Sequence, residues 1–580
     1  MLKPQNNLCR SLFNLDGIWE YAKHPGPNPE TGFEREGLLA VPASWNEQHN
    51  ELFHYKGKLW YQKRFEFQKT DDKLFFLRFA GVLFRAEFYL NGIALGENIA
   101  GHLPVEFDVS ALLNAGENLI TVGVDGNIAE HQAIGKGDFY EYGGIHRSVT
   151  LEGRNKIHFQ DIKAETSSSG KLKLKWQSTG GKTVRFSING QSVSTASADG
   201  QLEKIIENIE CWCCVNPKLY TLKAELLDDC NNLCDLCSIK IGFRTFEVKG
   251  RKLFLNGKET VLKGFGKHED FYVSGKGVNL ALYIRDYELM RWCGANSFRT
   301  THYPYSEEML DLADEHGFLI IDEVPFVDFN DKHFGDKELL ANAIMTIKRL
   351  IDRDFNHPSV VSWSMGNECE TQMPESEAFF EEIFAAARRE DPVRPLTYVA
   401  YTRPGQDHAY KFADIIGVNR YFGWYAYASW GSPVQPGDIS GGVRMLNTEL
   451  DKFMALYDKP LILSEFGVDC IQGTHSAFCQ QFSEEFQSEF LERYIRCLQK
   501  RSDIAGMHVW CFADFFTNQD PLRVQGNRKG IFTRSREPKM AAFTVRKLWT
   551  GNIDSGVIAL GDELEGQTTS SSWEEKGGSL

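Results

Sequence analysis

The chain has 580 residues, more than one hydrophobic core accommodates, so about two to four domains are expected. The composition, 42% hydrophobic and 25% charged, is typical of a globular protein in water, and the net charge of −15 argues against a nucleic-acid-binding surface. The sequence contains no apolar run near the roughly 18 residues of a membrane span, and it begins without the features of a signal peptide. We therefore expect a cytoplasmic protein without nucleic-acid or membrane partners.

Residues 1–155 contain many short β-favouring segments separated by turns, and few stretches with a helical period. Two such segments are "KLFFLRFAGV" and "RAEFYLNGIAL", and Asn91-Gly92 marks a tight turn within the second. This pattern predicts a β-sandwich. Residues 156–246 continue with alternating segments such as "KLKLKW" and "TVRFSING", whose total length predicts a smaller, immunoglobulin-like β-sandwich.

A group of cysteines lies within this second region, at positions Cys211, Cys213, Cys214, Cys230, Cys234 and Cys237. Clustered cysteines can bind zinc, but the spacing here matches no familiar pair of zinc ligands, and the flanking residues alternate as in strands. We predict that these thiols are reduced and that they bind no metal.

From residue 247 to 550, apolar strand-like segments alternate with amphipathic helical ones. One predicted helix, "SEEMLDLADEHG", begins after the capping residue Ser306 and ends before Gly317. The alternation predicts a (β/α)8 TIM barrel. Its eight strands are predicted in "TVLKGFG", "ANSFRTTH", "GFLIIDEV", "SVVSWSMGNE", "PLTYVAY", "DIIGVNRY", "KPLILSEFG" and "AGMHVWCF". The polar segment 551–580 is predicted to be an extension, flexible from about residue 562.

Acidic residues stand at the ends of several predicted barrel strands, where the active sites of such barrels lie. Glu368 ends the fourth strand and Glu465 ends the seventh. Two carboxylates that converge about 5 Å apart can perform glycoside hydrolysis with retention of configuration. Asp322 and Glu323 end the third strand, and spacing alone does not rank them below the other pair.

Several motifs together resemble those of glycoside hydrolase family 2. The barrel motifs are "NSFRTTHYPYSEEMLDLADEHGFLIIDEV" and "HPSVVSWSMGNE", and the earlier ones are "NLDGIWEY", "VPASWNEQ" and "LWYQKRFEF". The resemblance covers about residues 10–550 and implies a jelly-roll sugar-binding-like domain, an immunoglobulin-like domain and a catalytic barrel. It also implies that Glu368 is the general acid/base and Glu465 the nucleophile, with Asp322 and Glu323 in supporting positions.

Other motifs resemble the bacterial, gut-type β-glucuronidase branch of this family, among them "DFYEYGGIHRSV", "GFGKHED", "LSEFGVD" and "NRKGIFTRSREPK". This resemblance implies a retaining exo-enzyme that acts on β-D-glucuronides. It assigns recognition of the sugar's C6 carboxylate to Asn527 and Lys529, with Arg523 nearby, because a buried cation and an amide donor stabilise such a charge.

The same resemblance implies further contacts with the sugar. Asp138 reaches a sugar hydroxyl from the first domain, and Asn367 binds the 2-hydroxyl and orients the acid. Tyr421 supports the nucleophile, which Arg299 holds ionised by its proximity. The remaining predicted contacts line the sugar pocket and are His268, Tyr425 and Trp510.

Three questions remain open at this level. The short segment 325–340 after the third strand predicts an open mouth, and hence tolerance of bulky aglycones or oligosaccharide ends. A β-galactosidase or a β-galacturonidase of the same family, or an inactive carbohydrate-binding barrel, is an alternative. We expect no cofactor to be required for catalysis and a homo-oligomeric assembly, while an accessory flavin site is left undecided.

Overall fold

A computed structural model describes residues 2–70, 72–425 and 434–551 of the chain. The predicted C-terminal extension lies outside the described residues, apart from Gly551. The described chain forms two β-sandwiches followed by a closed parallel barrel, so the predicted fold class is confirmed.

The first sandwich packs a six-stranded sheet, in the order β3-β2-β4-β10-β7-β8, against a four-stranded one, β1-β12-β5-β9. Alternate residues face the core between the sheets, as Tyr61 and Phe88 do, because side chains along a strand point to opposite faces. Asn91 and Gly92 both have positive φ, 52° and 79°, and turn β7 into β8 as predicted. The strands are β1 Ser11–Asn14, β2 Gly17–Ala22, β3 Gly37–Val41, β4 Lys58–Phe67, β5 Lys73–Phe79, β6 Val82–Leu83, β7 Arg85–Leu90, β8 Ile93–Asn98, β9 Val105–Asp108, β10 Gly116–Asp125, β11 Gly144–Ile145 and β12 Val149–Asn155.

The second sandwich packs the sheet β13-β14-β17 against β16-β15-β18-β19. Strand β14 shows why the alternating segments fold in this way, since Leu172, Leu174 and Trp176 are buried while the intervening lysines face outward. Three further strands, β20 to β22, form a small sheet whose apolar residues pack against the first residues of the barrel strands. The strands are β13 Phe159–Thr166, β14 Lys171–Ser178, β15 Thr183–Ile188, β16 Gln191–Ser197, β17 Gly200–Ile205, β18 Tyr220–Leu227, β19 Leu233–Ile241, β20 Phe246–Lys249, β21 Lys252–Leu255 and β22 Lys258–Glu259.

The cysteine group is distributed between two environments. Cys213 and Cys214 pack against the apolar cluster between the small sheet and the barrel, whereas Cys230 lies exposed in the turn before β19. All thirteen cysteines fall within the described ranges and are unpaired.

In the part of the chain that the structure describes, eight parallel strands close into a barrel in which β30 pairs with β23. Seven of them lie within the segments predicted as strands, and β23 extends one residue beyond its segment, so this prediction is confirmed. The strands are β23 Leu262–Lys267, β24 Ser297–Thr300, β25 Leu319–Glu323, β26 Val360–Asn367, β27 Leu396–Ala400, β28 Ile415–Asn419, β29 Leu461–Glu465 and β30 Gly506–Val509.

Helices surround this barrel. The side chain of Ser306 accepts a hydrogen bond from the Met309 amide and caps α2, and Gly317 ends the helix in the left-handed conformation (φ 77°), both as predicted. None of the helices in the described ranges is long and apolar enough to cross a membrane. The described helices are α1 Leu280–Trp292, α2 Glu307–His316, α3 Asp331–Phe334, α4 Lys337–Asp354, α5 Ser376–Glu390, α6 Ile439–Leu456, α7 Glu484–Gln499 and α8 Met540–Thr550.

The first sandwich docks onto the barrel through its β10–β11 connection. The Gly135 amide donates to the Pro325 carbonyl at 2.7 Å, and the Tyr140 amide donates to the Phe516 carbonyl at 2.9 Å. The buried Arg78 pairs with Glu307 of α2 at 2.8 Å. The two backbone hydrogen bonds hold the β10–β11 connection against the carboxyl ends of the barrel strands, and the ion pair joins β5 to α2.

Candidate active site

A cavity of about 1030 Å³ opens at the carboxyl ends of the barrel strands. Eight of the eleven predicted site residues border it, and the β10–β11 connection contributes one of them. His268, Asn527 and Lys529 are buried next to bordering residues. The eight are Asp138, Asn367, Glu368, Tyr421, Tyr425, Glu465, Trp510 and Arg523.

Glu368 follows the last residue of β26 and has a left-handed backbone, with φ of 53°. Its Oε1 accepts a hydrogen bond from Asn419 Nδ2 at 2.8 Å. The orientation of the Asn419 amide is set by Ser464, whose hydroxyl donates to Asn419 Oδ1 at 2.9 Å. Burial, reinforced by the negative charge of Asp328, raises the pKa of Glu368 to about 7. This carboxyl can therefore carry a proton near neutral pH.

Glu465, the last residue of β29, has stronger hydrogen-bond donors. Arg299 Nη2 donates to Oε1, and the Tyr421 hydroxyl donates to Oε2 at 2.6 Å. Burial raises the pKa of Glu465 above its ordinary value, whereas the Arg299 charge opposes this effect and the Glu368 charge adds to it. The expected contact with Arg299 is present, but its lowering effect on this pKa is smaller than the effect of burial.

The competing acids at the end of β25 have different surroundings. Glu323 accepts hydrogen bonds from Arg299 Nη1 at 2.7 Å, from Ser364 Oγ at 2.7 Å and from His302 Nδ1 at 2.9 Å. Burial alone would raise the pKa of Glu323, but the Arg299 charge and the contacts with His302 and Ser364 together outweigh it, so the pKa is lowered. Asp322 accepts from the Thr300 hydroxyl at 3.1 Å. Both acids are fully buried, and the described lining of the cavity does not include them.

The groups predicted to bind a sugar carboxylate each contact an aspartate. Lys529 is buried and its ammonium lies 2.7 Å from Asp469 Oδ2. Asp138 Oδ2 accepts from Asn527 Nδ2 at 2.9 Å and from Arg523 Nε at 2.7 Å. Burial lowers the pKa of Lys529, but Asp469, with smaller contributions from Tyr425 and Asp138, outweighs this effect, so the pKa is raised and the ammonium stays charged.

Arg523 and the aromatic residues connect these groups to the cavity. Arg523 Nη2 donates to the Tyr425 hydroxyl at 2.9 Å, and the Lys529 ammonium lies 5.1 Å from the centre of the Tyr425 ring. Trp510 stacks on His302 with ring centres 5.2 Å apart. His268 shares a hydrogen bond with the Tyr303 hydroxyl at 3.0 Å, and its burial keeps the pKa well below the ordinary value, so the imidazole is neutral.

Three of the residues at the site that were not predicted from the sequence contact or adjoin the predicted ones. Asn419, at the end of β28, contacts both Asn367 and Glu368. Asp469, four residues after Glu465, pairs with Lys529. Asp328 borders the cavity from the segment after β25. The strand-end rule that identified the glutamates could also have identified Asn419, whereas the other two depend on contacts between distant segments.

This geometry defines a glycosidase of the two-carboxylate type on a three-domain scaffold, and comparison with known proteins identifies its family. Residues 12–154 match the family 2 glycosyl hydrolase sugar binding domain, residues 149–244 a further domain of that family, and residues 246–553 its TIM barrel domain. The chain belongs to glycoside hydrolase family 2.

Individual relatives point to one activity within the family. The chain is 34% identical to a β-glucuronidase of Paenibacillus borealis over an alignment of 599 positions, gaps included, that covers 95% of this chain and 98% of that protein. The solved structure of β-D-glucuronidase from Dictyoglomus thermophilum has 36% identity and a TM-score of 0.86, over 95% of this chain and 98% of that one. A β-glucuronidase of Ruminococcus gnavus in complex with D-glucuronic acid has 33% identity and a TM-score of 0.88, over 94% and 99% of the two chains.

Proposed function

We propose that this glycoside hydrolase cleaves β-D-glucuronides by double displacement, with Glu368 as acid/base and Glu465 as nucleophile. The observation that carries this proposal is the difference between the two carboxyls in one cavity. Glu465 receives a guanidinium and a hydroxyl, both of which favour its ionised form, whereas Glu368 receives one amide and has a pKa of about 7. Environments that separate two carboxyls in this way assign the proton to one and the charge to the other.

In the first step, Glu465 attacks the anomeric carbon while the bond to the aglycone oxygen breaks and that oxygen takes the proton of Glu368. The product is a glycosyl ester on Glu465. In the second step, the Glu368 carboxylate removes a proton from water, the water oxygen bonds to the anomeric carbon, and Glu465 leaves as the carboxylate. Arg299 and Tyr421 stabilise that carboxylate in its free form, because both donate hydrogen bonds to it.

Recognition of the uronic acid requires an exchange of partners. Arg523 and Asn527 both donate to Asp138. We propose that the C6 carboxylate takes these donors and approaches the Lys529 ammonium, which releases Asp138 to accept from a sugar hydroxyl. Asp469 stays beside Lys529 and keeps its ammonium in place.

The rest of the sugar contacts follow from the orientation of nearby groups. Asn367 Oδ1 accepts from Asn419 Nδ2 at 3.1 Å and from Arg299 Nη1 at 3.4 Å, which directs the Asn367 amide nitrogen toward a ligand such as the 2-hydroxyl. Tyr425 and Trp510 would line the sugar subsite, with His268 packed behind Trp510 at a ring distance of 5.4 Å.

The carboxyl assignment is tested with Glu368→Gln and Glu465→Gln on 4-nitrophenyl β-D-glucuronide, whose aglycone leaves without a proton. We expect Glu368→Gln to release a burst of one equivalent of nitrophenol and then turn over slowly, because only the first step survives. Glu465→Gln should release none and still bind glucuronic acid. A burst from Glu465→Gln, or equal losses in all steps, would contradict the assignment.

Substrate preference is tested with matched β-D-glucuronide, β-D-galacturonide and β-D-galactoside substrates, which separate the C6 carboxylate from the C4 configuration. We propose that glucuronides are preferred, and that the short 325–340 segment leaves room for large aglycones. The cavity of about 1030 Å³ supports this, since it is at the upper limit of the roughly 300–1,000 Å³ of ordinary ligand sites. A strong preference for the smallest aglycone in kcat/KM would count against the open mouth.

We further propose domain limits of 1–155, 156–246 and 247–550, catalysis without a cofactor, and a homo-oligomeric assembly. The thirteen unpaired cysteines support a reducing compartment, and we propose the cytoplasm. Sedimentation of the full chain tests the assembly, and activity after exhaustive dialysis against a chelator tests independence from metals.

A further inference from the structure

A third carboxyl, that of Asp328, borders the catalytic cavity. Asp328 lies in the segment between β25 and α3, and its backbone has a left-handed φ of 54°, close to the 53° of Glu368. Such conformations are uncommon for residues other than glycine, and they concentrate at functional sites. Two residues from different barrel loops therefore share an unusual backbone conformation at the same cavity.

The register between the two loops places these residues side by side. Val327 forms a parallel bridge with Asn367, and the Asn367 amide donates to the Phe326 carbonyl at 2.9 Å. The Asp328 amide in turn donates to the Asn367 carbonyl at 3.2 Å. Asp328 follows Val327, and Glu368 follows Asn367, so these two residues take the next paired position. Neighbouring paired backbones lie about 4.8 Å apart. Both side chains border the same cavity.

We propose that Asp328 is a positioning residue whose negative charge, as it forms near neutral pH, holds the catalytic proton on Glu368 toward the alkaline side of neutrality. The inference rests on the proposed acid/base role of Glu368. The like charge of a neighbouring carboxylate makes ionisation of Glu368 less favourable, and burial of the pair strengthens the effect. The acid required for the first step is thereby retained under conditions in which an isolated glutamate would have lost its proton.

The effect of Asp328 is opposed and supplemented by other groups around the cavity. Arg299 of β24 and Arg420 after β28 lower the pKa of Glu368, although burial and Asp328 have the larger effects. Burial also raises the pKa of Asp328 to about 7, and further negative charge reaches it from Glu465, Asp138 and Glu370. Tyr401 lies near Glu368 and Asp328, and Tyr421 near Glu465 and Glu368. Burial raises the pKa of each hydroxyl, so both are neutral at the pH of interest.

The test is the pH dependence of kcat/KM for an alkyl glucuronide, whose poor leaving group requires a proton from Glu368. In Asp328→Asn we expect the alkaline limb of this pH–rate profile, where kcat/KM falls with rising pH, to move to lower pH by about 0.5–1 unit. The reason is that removal of a like charge lowers the pKa of Glu368. Activity at pH 5 should change less than about twofold, and activity on the alkaline limb should fall about 3- to 10-fold. Asparagine tolerates the left-handed backbone, so the fold is retained.

Asp331→Asn is the matched control, because it removes the same charge from an exposed position three residues further along the same segment. We expect its profile to equal that of the unmodified protein. Asp328→Gly, which also tolerates the left-handed backbone, should reproduce the shift of Asp328→Asn, and Asp328→Glu should restore most of the alkaline limb. An unmoved alkaline limb in Asp328→Asn, or an equal shift in Asp331→Asn, overturns the inference.

Failure of the underlying mechanism has a separate signature. If Glu368→Gln retains the same alkaline limb as the unmodified protein, Glu368 is not the titrating acid and the proposed mechanism is wrong. If Glu368→Gln abolishes the limb while Asp328→Asn leaves it unmoved, the mechanism stands and only the role of Asp328 is rejected.

Discussion

Replacement of Lys529 by methionine tests whether this chain selects a carboxylate at C6 of the sugar. Methionine keeps most of the buried hydrophobic stem and removes the ammonium, which lies 2.7 Å from Asp469 Oδ2. The single variant would leave Asp469 buried next to an apolar group, at a cost of about 3–5 kcal/mol in the free energy of unfolding. The informative variant is therefore Lys529→Met combined with Asp469→Asn, which removes both charges together.

The expected loss follows from the kind of contact that is removed. A hydrogen bond to a charged group contributes about 1.5–3 kcal/mol, which corresponds to a loss of about 10- to 150-fold in kcat/KM for a glucuronide. A glucoside carries a neutral hydroxymethyl group at C6 and gains nothing from the ammonium. The ratio of kcat/KM for 4-nitrophenyl β-D-glucuronide to that for the β-D-glucoside should therefore fall by a similar factor.

A second buried pair provides the control for general damage to this region. Lys539 is buried and its ammonium lies 2.8 Å from Asp514 Oδ1, ten residues beyond Lys529. Lys539→Met with Asp514→Asn should lower the melting temperature and leave the glucuronide-to-glucoside ratio unchanged. If the Lys529 double variant keeps its ratio, or if both double variants lose it equally, Lys529 does not recognise the carboxylate.

Three further predictions concern stability and domain docking. The positive charges of Arg78, Lys3 and Arg353 together outweigh burial, so the pKa of Glu307 is lowered. The pair with Arg78 therefore stabilises the fold above the unfolded pKa of about 4.3. In urea titrations, Glu307→Gln should lower the free energy of unfolding by about 3 kcal/mol at pH 7, and this difference should shrink as the pH falls below about 4.3. Ser306→Ala should cost about 1 kcal/mol in the same assay and leave kcat/KM unchanged, because it removes only the cap of α2 and a hydrogen bond to a tyrosine. A Cβ at Gly135 would lie 1.9 Å from the Val327 carbonyl oxygen, so Gly135→Ala should displace the 325–328 segment and lower kcat/KM at least tenfold while far-UV circular dichroism is unchanged.

Most of the barrel could be predicted from the sequence because its determinants are local. Each strand is a short apolar run, and the limits of α2 follow from Ser306 and Gly317, whose capping roles depend only on neighbouring residues. The positions of Glu368 and Glu465 follow from a general rule about strand ends. Chain periodicity and that rule were therefore sufficient to place the two carboxyls at one end of one barrel.

Strand position alone could not show which of the acidic residues at strand ends border the cavity. Glu323 and Glu465 both end a strand and both bind Arg299, yet only Glu465 borders the cavity. The distinction depends on His302 and Ser364, which surround Glu323 with donors from elsewhere in the chain. The role proposed for Asp328 depends in the same way on a register between loops, which no local pattern in the sequence encodes.

The position of Asp138 explains why a barrel active site requires a β-sandwich beside it. Asp138 comes from the β10–β11 connection, and its carboxylate holds both Arg523 and Asn527, which belong to the segment after β30. The Gly135 amide fixes the same connection to the Pro325 carbonyl, three residues before Asp328. One loop of the sandwich therefore contacts the proposed carboxylate-binding groups on one side of the cavity. On the other side it contacts the 325–328 segment, which lies beside Glu368. Displacement of this loop would perturb the proposed sugar recognition and the proposed proton transfer together, although the two glutamates proposed to act in catalysis both belong to the barrel.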